Sequence, residues 1–377
     1  MMVYDVIVVG GGLAGLVNAI KLAEAGLEVL LVEKKQYPFH KVCGEYISNE
    51  VVPYLEDAGL YPAHMQPAAI NQFLLSDTRG KHASVQLGLG GFGISRYAYD
   101  AFLYEQALKA GAKVVCGKQV EAFTFQNNAF TVTLSHGQQY QCQLLIGAYG
   151  KRARLDKTLN RQFTQRPAPY VGVKYHIKTD FDHHTVALHN FEGGYCGLSR
   201  IENGLYNLCY LSRRSQLKLH GSIPALEAEV LCRNPFLKDV FAHAEFVFDK
   251  PEVINEVSFA PKQPVENHML MCGDTAGLIT PLCGNGMAMA IHAAKLLSEL
   301  IVQHFNAPRF ERHALEQAYA RAWRKLFVRR LWVGRNAQKL FGTPAASTLL
   351  VNLLQTMPAV GKSIIKQTHG QPIQATY

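Results

Sequence analysis

Apolar residues open the chain as unbroken runs. Val3–Val9 is one such run and breaks at Gly10. Residues 16–25 place apolar positions at helical spacing, Gly26 closes them, and Glu28–Val32 is a second run ending at Glu33. Strands that are apolar on both faces and joined through a helix predict a parallel sheet. Ser95 to Gly111 reads as a capped helix closed by glycine, followed by a strand at Lys113–Cys116. Alternation at 122–125 and 130–134, split by Gln126-Asn-Asn128, predicts a hairpin, and Gln143–Gly150 is another buried strand entering a glycine turn.

Between 170 and 212 the rhythm changes to alternation. Tyr170–Ile177, Thr185–Phe191, Gly194–Ile201 and Gly204–Ser212 are aromatic-rich strands, the last two joined at Glu202-Asn203-Gly204. They predict an antiparallel sheet, and residues 69–94 have similar strand character. At His268 the unbroken runs return. Met269–Cys272 leads into Gly273-Asp274, then the turn Pro281-Leu-Cys-Gly-Asn-Gly286, then a helix from Met287 to Phe305. From 310 to 341 a basic amphipathic helix carries Trp323, Phe327, Leu331 and Trp332 as its apolar side. The tail 345–366 is apolar and broken at Pro358 and Gly361.

Chemistry enters at the first break. Gly10, Gly12 and Gly15 have G-x-G-x-x-G spacing after a strand, Leu13 and Ala14 open a helix, and Glu33 and Lys34 follow the second strand. Such a turn brings a pyrophosphate onto the free N–H groups of the helix start, with the acid accepting from a ribose hydroxyl. The pattern predicts a bound dinucleotide. Gly88, Gly90 and Gly93 repeat the spacing, but no acid ends the strand 20 residues on. That stretch is expected to be a flexible glycine loop.

Composition narrows the class. With 377 residues and 48% apolar content, two domains or one large discontinuous one are expected. No run of 18 apolar residues appears and the start lacks a basic signal-peptide region. The eight cysteines (43, 116, 142, 196, 209, 232, 272, 283) show no C-x-x-C or zinc spacing, so reduced, mostly packed thiols, no metal and a cytoplasmic setting are expected. Of the net charge of +9, six units sit between Arg309 and Arg335, where eight basic residues face Glu311 and Glu316. The remaining surface is too weakly charged for a nucleic-acid partner. The basic helix has two readings: peripheral contact with anionic lipid at the inner membrane face, or a solvated face over a packed apolar side.

The two glycine motifs together resemble flavoproteins of the p-hydroxybenzoate hydroxylase fold, and within them the geranylgeranyl reductase-like branch. The resemblance implies an α/β fold: a Rossmann-like FAD-binding domain of the glutathione reductase type, an inserted antiparallel β-sheet substrate domain and a helical C-terminus. It divides the chain into 1–68, 96–165 and 265–305 for FAD, 69–95 and 166–264 for substrate, and 306–377 at the C-terminus. It also implies that Gly10, Gly12, Leu13, Ala14, Gly15, Glu33 and Lys34 hold the ADP half. Arg96 lies beside the cofactor, Gly273 and Asp274 meet the ribityl chain, and Pro281, Gly284, Asn285, Gly286 and Met287 place the next helix toward the flavin. Pro38-Phe-His-Lys-Val-Cys43-Gly44 resembles the branch's Pro-x-x-x-x-Cys-Gly loop. Cys43 is then a cofactor neighbour and a proton donor, a redox partner or a small packing residue.

Departures from the family pattern shape the functional reading. Gly273-Asp-Thr-Ala-Gly277 replaces the hydroxylase Gly-Asp-Ala-Ala-His, and the halogenase Trp-x-Trp-x-Ile-Pro stretch is missing. Tyr149 stands where the family has aspartate, which questions ordinary NAD(P)H docking, although NAD(P)H stays a candidate electron donor. Tyr195-Cys-Gly-Leu-Ser199 alters the Tyr-x-Trp-x-Phe-Pro signature. The first expectation is FAD-dependent reduction of a C=C bond in a hydrophobic polyprenyl or related lipid substrate. The alternative is a FAD monooxygenase acting on an aromatic or polyketide ring, recognisable by a stable flavin C4a adduct. A non-catalytic flavin sensor or electron-transfer partner is the third, disfavoured by an aromatic-walled cavity.

Overall fold

The computed structural model describes residues 2–151, 153–165, 168–280, 284–357 and 370–373. Val6, Ile7 and Val8 are fully buried, as an apolar run in a covered parallel sheet must be. Their strand, Val3–Val9, sits inside an eight-stranded sheet. The order is Val265–Glu266, Met269–Met271, Gln139–Gly147, Val3–Val9, Val29–Glu33 and Lys113–Cys116, with the hairpin Val120–Gln126/Ala129–Leu134 hanging from Gln139–Gly147. The four pairings from Met269–Met271 to Lys113–Cys116 are parallel. Val9 pairs with both Val32 and Gly147, so three strands end level at Gly10, Glu33 and Ala148. The chain leaves Val3–Val9 toward one side and returns on the other, and ligands bind at such a switch point.

The second sheet has nine strands. Its order is Glu245–Phe246, Tyr170–Lys178, Tyr206–Arg213, Gly194–Arg200, Thr185–Phe191, Ala68–Ser76, His82–Gly93 and Tyr46–Ser48, with Glu252–Val257 also on Tyr170–Lys178. The sheet is not purely antiparallel, because Thr185–Phe191 runs parallel to Ala68–Ser76. The glycine-rich stretch is no flexible loop either. His82–Gly93 is a 12-residue strand. A Cβ at Gly91 would stand 2.5 Å from the Ile47 carbonyl oxygen, and one at Gly93 would overlap the Arg200 carbonyl. These glycines serve close backbone approach.

The basic helix spans Arg312–Ala337. Leu315, Tyr319, Trp323, Phe327 and Leu331, four apart, are buried in the core around the first sheet. Trp332 does not belong to that side. One residue past Leu331 it is turned about 100° around the helix and is 60% exposed. A shorter helix, Pro344–Thr356, follows, while the breaks expected at Pro358 and Gly361 lie outside the described residues. Among the described residues no helix is long and apolar enough to cross a membrane.

One buried histidine gives the fold a pH signature. His189 Nδ1 lies 2.9 Å from Ser76 Oγ, and burial, aided by His82, pushes its pKa down to about 3. The folded protein keeps this ring neutral, whereas the unfolded chain protonates it below about 6.5. Stability is therefore expected to fall as pH drops from 6.5 toward 3, by up to about 1.4 kcal/mol per pH unit from this ring. Urea midpoints measured across that range should decline less steeply in His189→Asn; parallel curves for the two proteins would refute it.

Candidate active site

The glycine turn is built by contact. A Cβ on Gly15 would run into the Gly10 carbonyl oxygen, and Gly10 itself holds φ at +103° with the Ala148 carbonyl 2.5 Å from where its Cβ would be. Leu13 and Ala14 are buried in the first turn of the helix Leu13–Glu24. Glu33, 5% exposed, accepts from the backbone N–H of Gly11 at 2.7 Å and of Lys35 at 3.0 Å, while Lys34 points to solvent. The side chain of Glu33 thus ties its strand end to the glycine turn.

Two cations crowd that turn. A Cβ at Gly12 would stand 3.3 Å from Arg96 Nη2 and 3.6 Å from Lys41 Nζ. Asp100, buried, takes both partners: Arg96 Nε at 2.7 Å and Lys41 Nζ at 2.8 Å. Burial alone would raise the Asp100 carboxyl, but Arg96 and Lys41 outweigh it and hold it below the carboxylate range. Two positive charges against one leave a net positive charge facing a helix N-terminus, an electrostatic fit for a pyrophosphate.

The loop carrying Cys43 is pinned at every carbonyl. Lys174 Nζ donates to Lys41 O at 3.2 Å, Lys151 Nζ to Val42 O at 3.1 Å, Asn207 Nδ2 to Cys43 O at 3.1 Å and Ser199 Oγ to Gly44 O at 3.3 Å. Lys174, Asn207 and Ser199 come from three adjacent strands of the second sheet, where Asn207 pairs with Ser199 and with His176, two residues along from Lys174. Glu45, fully buried, binds the Lys174 ammonium, His176 Nε2 at 2.7 Å and the backbone N–H of Arg96 at 2.7 Å. Burial pushes the Glu45 carboxyl up, but Lys174 and His176 overcome this and keep it below its ordinary value. Cys43 lies beside the Arg96 guanidinium, whose charged form it, after Asp100, helps to favour.

On the other side of the switch point, Thr275 Oγ1 joins Gly150, accepting from its N–H at 2.9 Å. Gly273, at φ +62°, packs so closely that its Cβ would meet Ala14 Cβ at 2.9 Å. That contact sets the Gly-Asp turn against the first helix. Asp274 is half-buried and its carboxylate makes no hydrogen bond among the described residues, which suits a ribityl hydroxyl. Gly284 is held at φ +61° beside Tyr46, Asn285 stands at the N-cap position of the helix Gly286–Phe305 without a side-chain cap hydrogen bond, and Met287 is buried in its first turn. Pro281, like Cys283, lies outside the described residues.

Lysine 262 was not singled out by any motif. Its ammonium, buried, donates to the carbonyls of Lys151 at 2.8 Å and Asp274 at 2.9 Å, bridging two cofactor-facing turns. Burial, then Arg161, pushes its pKa down to about 8. Tyr149 donates to Asp156 at 3.1 Å, and Arg161 links Asp156 to Glu266. The phenol that replaces the family's aspartate is thus committed to a buried ion-pair network. Lys174 and His176 were equally illegible, since they look like ordinary members of an alternating strand.

A parallel sheet with a glycine turn, an acid at the second strand end and an unspent carboxylate at a Gly-Asp turn defines an FAD-dependent oxidoreductase of the p-hydroxybenzoate hydroxylase fold. Residues 3–211 match the FAD binding domain, and the chain belongs to that family, in its geranylgeranyl reductase-like branch. It is similar to the digeranylgeranylglycerophospholipid reductase 2 of Methanopyrus kandleri, 27% identical over 90% of this chain and 87% of the relative. A geranylgeranyl bacteriochlorophyll reductase-like structure from Thermoplasma acidophilum superposes with a TM-score of 0.79 at 18% identity, covering 97% of each chain. The flavin-dependent brominase Bmp2 reaches 0.78 at 17% identity, covering 97% of this chain and 93% of its own, a likeness of fold alone.

Glu33→Lys is expected to weaken FAD by at least ~1.4 kcal/mol, tenfold in Kd, since it removes two backbone hydrogen bonds and adds repulsion. Fluorescence titration of the apoprotein with FAD measures this, and unchanged affinity would refute the role of Glu33.

Proposed function

We propose that this enzyme saturates C=C bonds in a polyprenyl or related lipid. The observation that carries the reading is the Cys43 thiol, set on a loop fixed at four successive carbonyls beside Arg96 at the FAD-binding end of the sheet. The names of relatives such as the Methanopyrus reductase support the substrate class. When bound and reduced by an external two-electron donor such as NAD(P)H, the flavin would supply the hydride for one carbon of the double bond. Cys43 Sγ gives its proton to the other carbon, and Arg96 steadies the thiolate until solvent restores the proton. Lys41 and Arg96 would hold the pyrophosphate, and Asp274 would accept from the ribityl chain. Mass spectrometry of total lipids from cells with and without the protein tests the reading. A gain of two hydrogens in an unsaturated lipid is expected; a gain of one oxygen would point to hydroxylation and sink it.

We also propose peripheral contact with anionic lipid through the outward side of Arg312–Ala337. Trp332 and Val328 are exposed there beside the exposed Arg321, Lys325 and Arg329. Each basic residue near such a surface contributes about 1 kcal/mol. Co-sedimentation with liposomes should rise with anionic lipid content, and independence from it would remove this contact.

A further inference from the structure

Behind the Gly-Asp turn, the segment 260–264 and the helix Arg312–Ala337 enclose a groove of about 180 Å³. A single water needs about 10–15 Å³, so the space suits a group of several heavy atoms. Its walls divide by chemistry. Trp323, Leu331 and Leu278 form an apolar floor, and all three are buried. Lys262, Arg324 and Arg335 supply three cations.

Those cations have donors to spare. Lys262 spends two of its three N–H donors on the carbonyls of Lys151 and Asp274 and lies 4.4 Å from the Phe163 ring centre, with no carboxylate in hydrogen-bond contact among the described residues. Arg324 bonds only the neutral amide oxygen of Gln263, at 3.1 Å. Arg335 is half-buried, and burial alone lowers its pKa, with no carboxylate opposing it. Of the carboxylates whose charge reaches Lys262, Asp156 and Glu266 are already engaged by Arg161, and Asp274 is the one assigned to the ribityl chain. A buried ammonium, a half-buried guanidinium and an exposed one at the rim, none in an ion pair among the described residues, favour a ligand that brings negative charge. The apolar floor favours one that also brings hydrocarbon. Leu278 belongs at the same time to the apolar cluster lining the second sheet with Leu188 and Leu211, so the floor continues toward that sheet.

We propose that this groove binds the phosphate headgroup of an amphiphilic lipid, with the phosphate on Lys262, Arg324 and Arg335 and the first carbons on Trp323. The assignment of a lipid rests on the proposed reductase function; the assignment of a phosphate rests on the charges alone. Arg335 makes the most direct test, because it makes no hydrogen bond or ion pair to another element among the described residues.

The FAD-loaded protein carrying Trp332→Phe keeps Trp323 as its sole tryptophan, since the chain has two. Water-soluble dihexanoyl phosphatidic acid should give a saturable change in Trp323 fluorescence. Arg335→Gln should weaken that binding by about tenfold or more, the scale of one charge-assisted contact, while Arg335→Lys should keep most of it. Flavin absorbance and circular dichroism confirm that each variant is folded. No saturable response, or equal affinity in Arg335→Gln, would overturn the proposal. Equal affinity for neutral dihexanoylglycerol would remove the phosphate, and equal affinity for sodium phosphate would remove the lipid. Because the readout is binding, lipid analysis failing to show reduction would leave this result intact, so the two readings fail separately.

Discussion

Glu45→Gln is expected to destabilise the FAD-loaded protein by about 3–5 kcal/mol, the range for breaking one side of a buried ion pair. The carboxylate is fully buried and its partner Lys174 is fully buried too, so the amide would leave an ammonium without a counter-charge. Against a typical total of about 5–15 kcal/mol, that loss is large. Urea denaturation followed by far-ultraviolet circular dichroism measures it. The double variant Glu45→Leu/Lys174→Met should recover much of the stability, since it removes both charges. The sign with pH follows from the depressed Glu45 carboxyl: its contribution is present above the ordinary carboxylate pKa and is lost as pH falls through the lowered folded-state value. A loss below about 1 kcal/mol in Glu45→Gln would mean the pair is solvated, as surface pairs are.

Cys43→Ser should leave folding and FAD binding intact, since the loop is held by backbone carbonyls and not by the thiol. Serine is a far weaker acid. Substrate-dependent oxidation of the pre-reduced enzyme should slow by ~10²-fold or more, the usual scale of a lost general acid. Anaerobic stopped-flow measures this directly. Unchanged reoxidation would remove Cys43 from proton transfer and favour oxygen chemistry, which makes no use of a thiol.

Local sequence carried the FAD-binding half well, because its signals are short-range. Gly10, Gly12, Gly15 and Glu33 lie within one βαβ unit, and the hairpin turn at Asn203 has the positive φ, 58°, that its Asn-Gly sequence favours. The Ser95 cap also forms, accepting from Ala98 N–H at 3.1 Å. What escaped was decided at long range. Glu45, Lys174 and His176 meet across about 130 positions of chain, and no spacing rule links them. Gly88–Gly93 looked mobile because composition reports conformational freedom, not the neighbouring backbones that demand it. Trp332 was misplaced by one residue of helical phase, enough to move it from core to surface.

The loop around Cys43 has no regular secondary structure of its own, yet its grips come from side chains of the second sheet as well as from Lys151. Local breathing needs backbone groups that can part from the protein one at a time. Here each carbonyl from 41 to 44 is held by a different residue, so release of any one leaves the others closed. The backbone of the segment therefore belongs to the cooperative unit of the sheet and lets go of its partners together with it, while the half-exposed Cys43 side chain stays within reach of solvent in the folded protein.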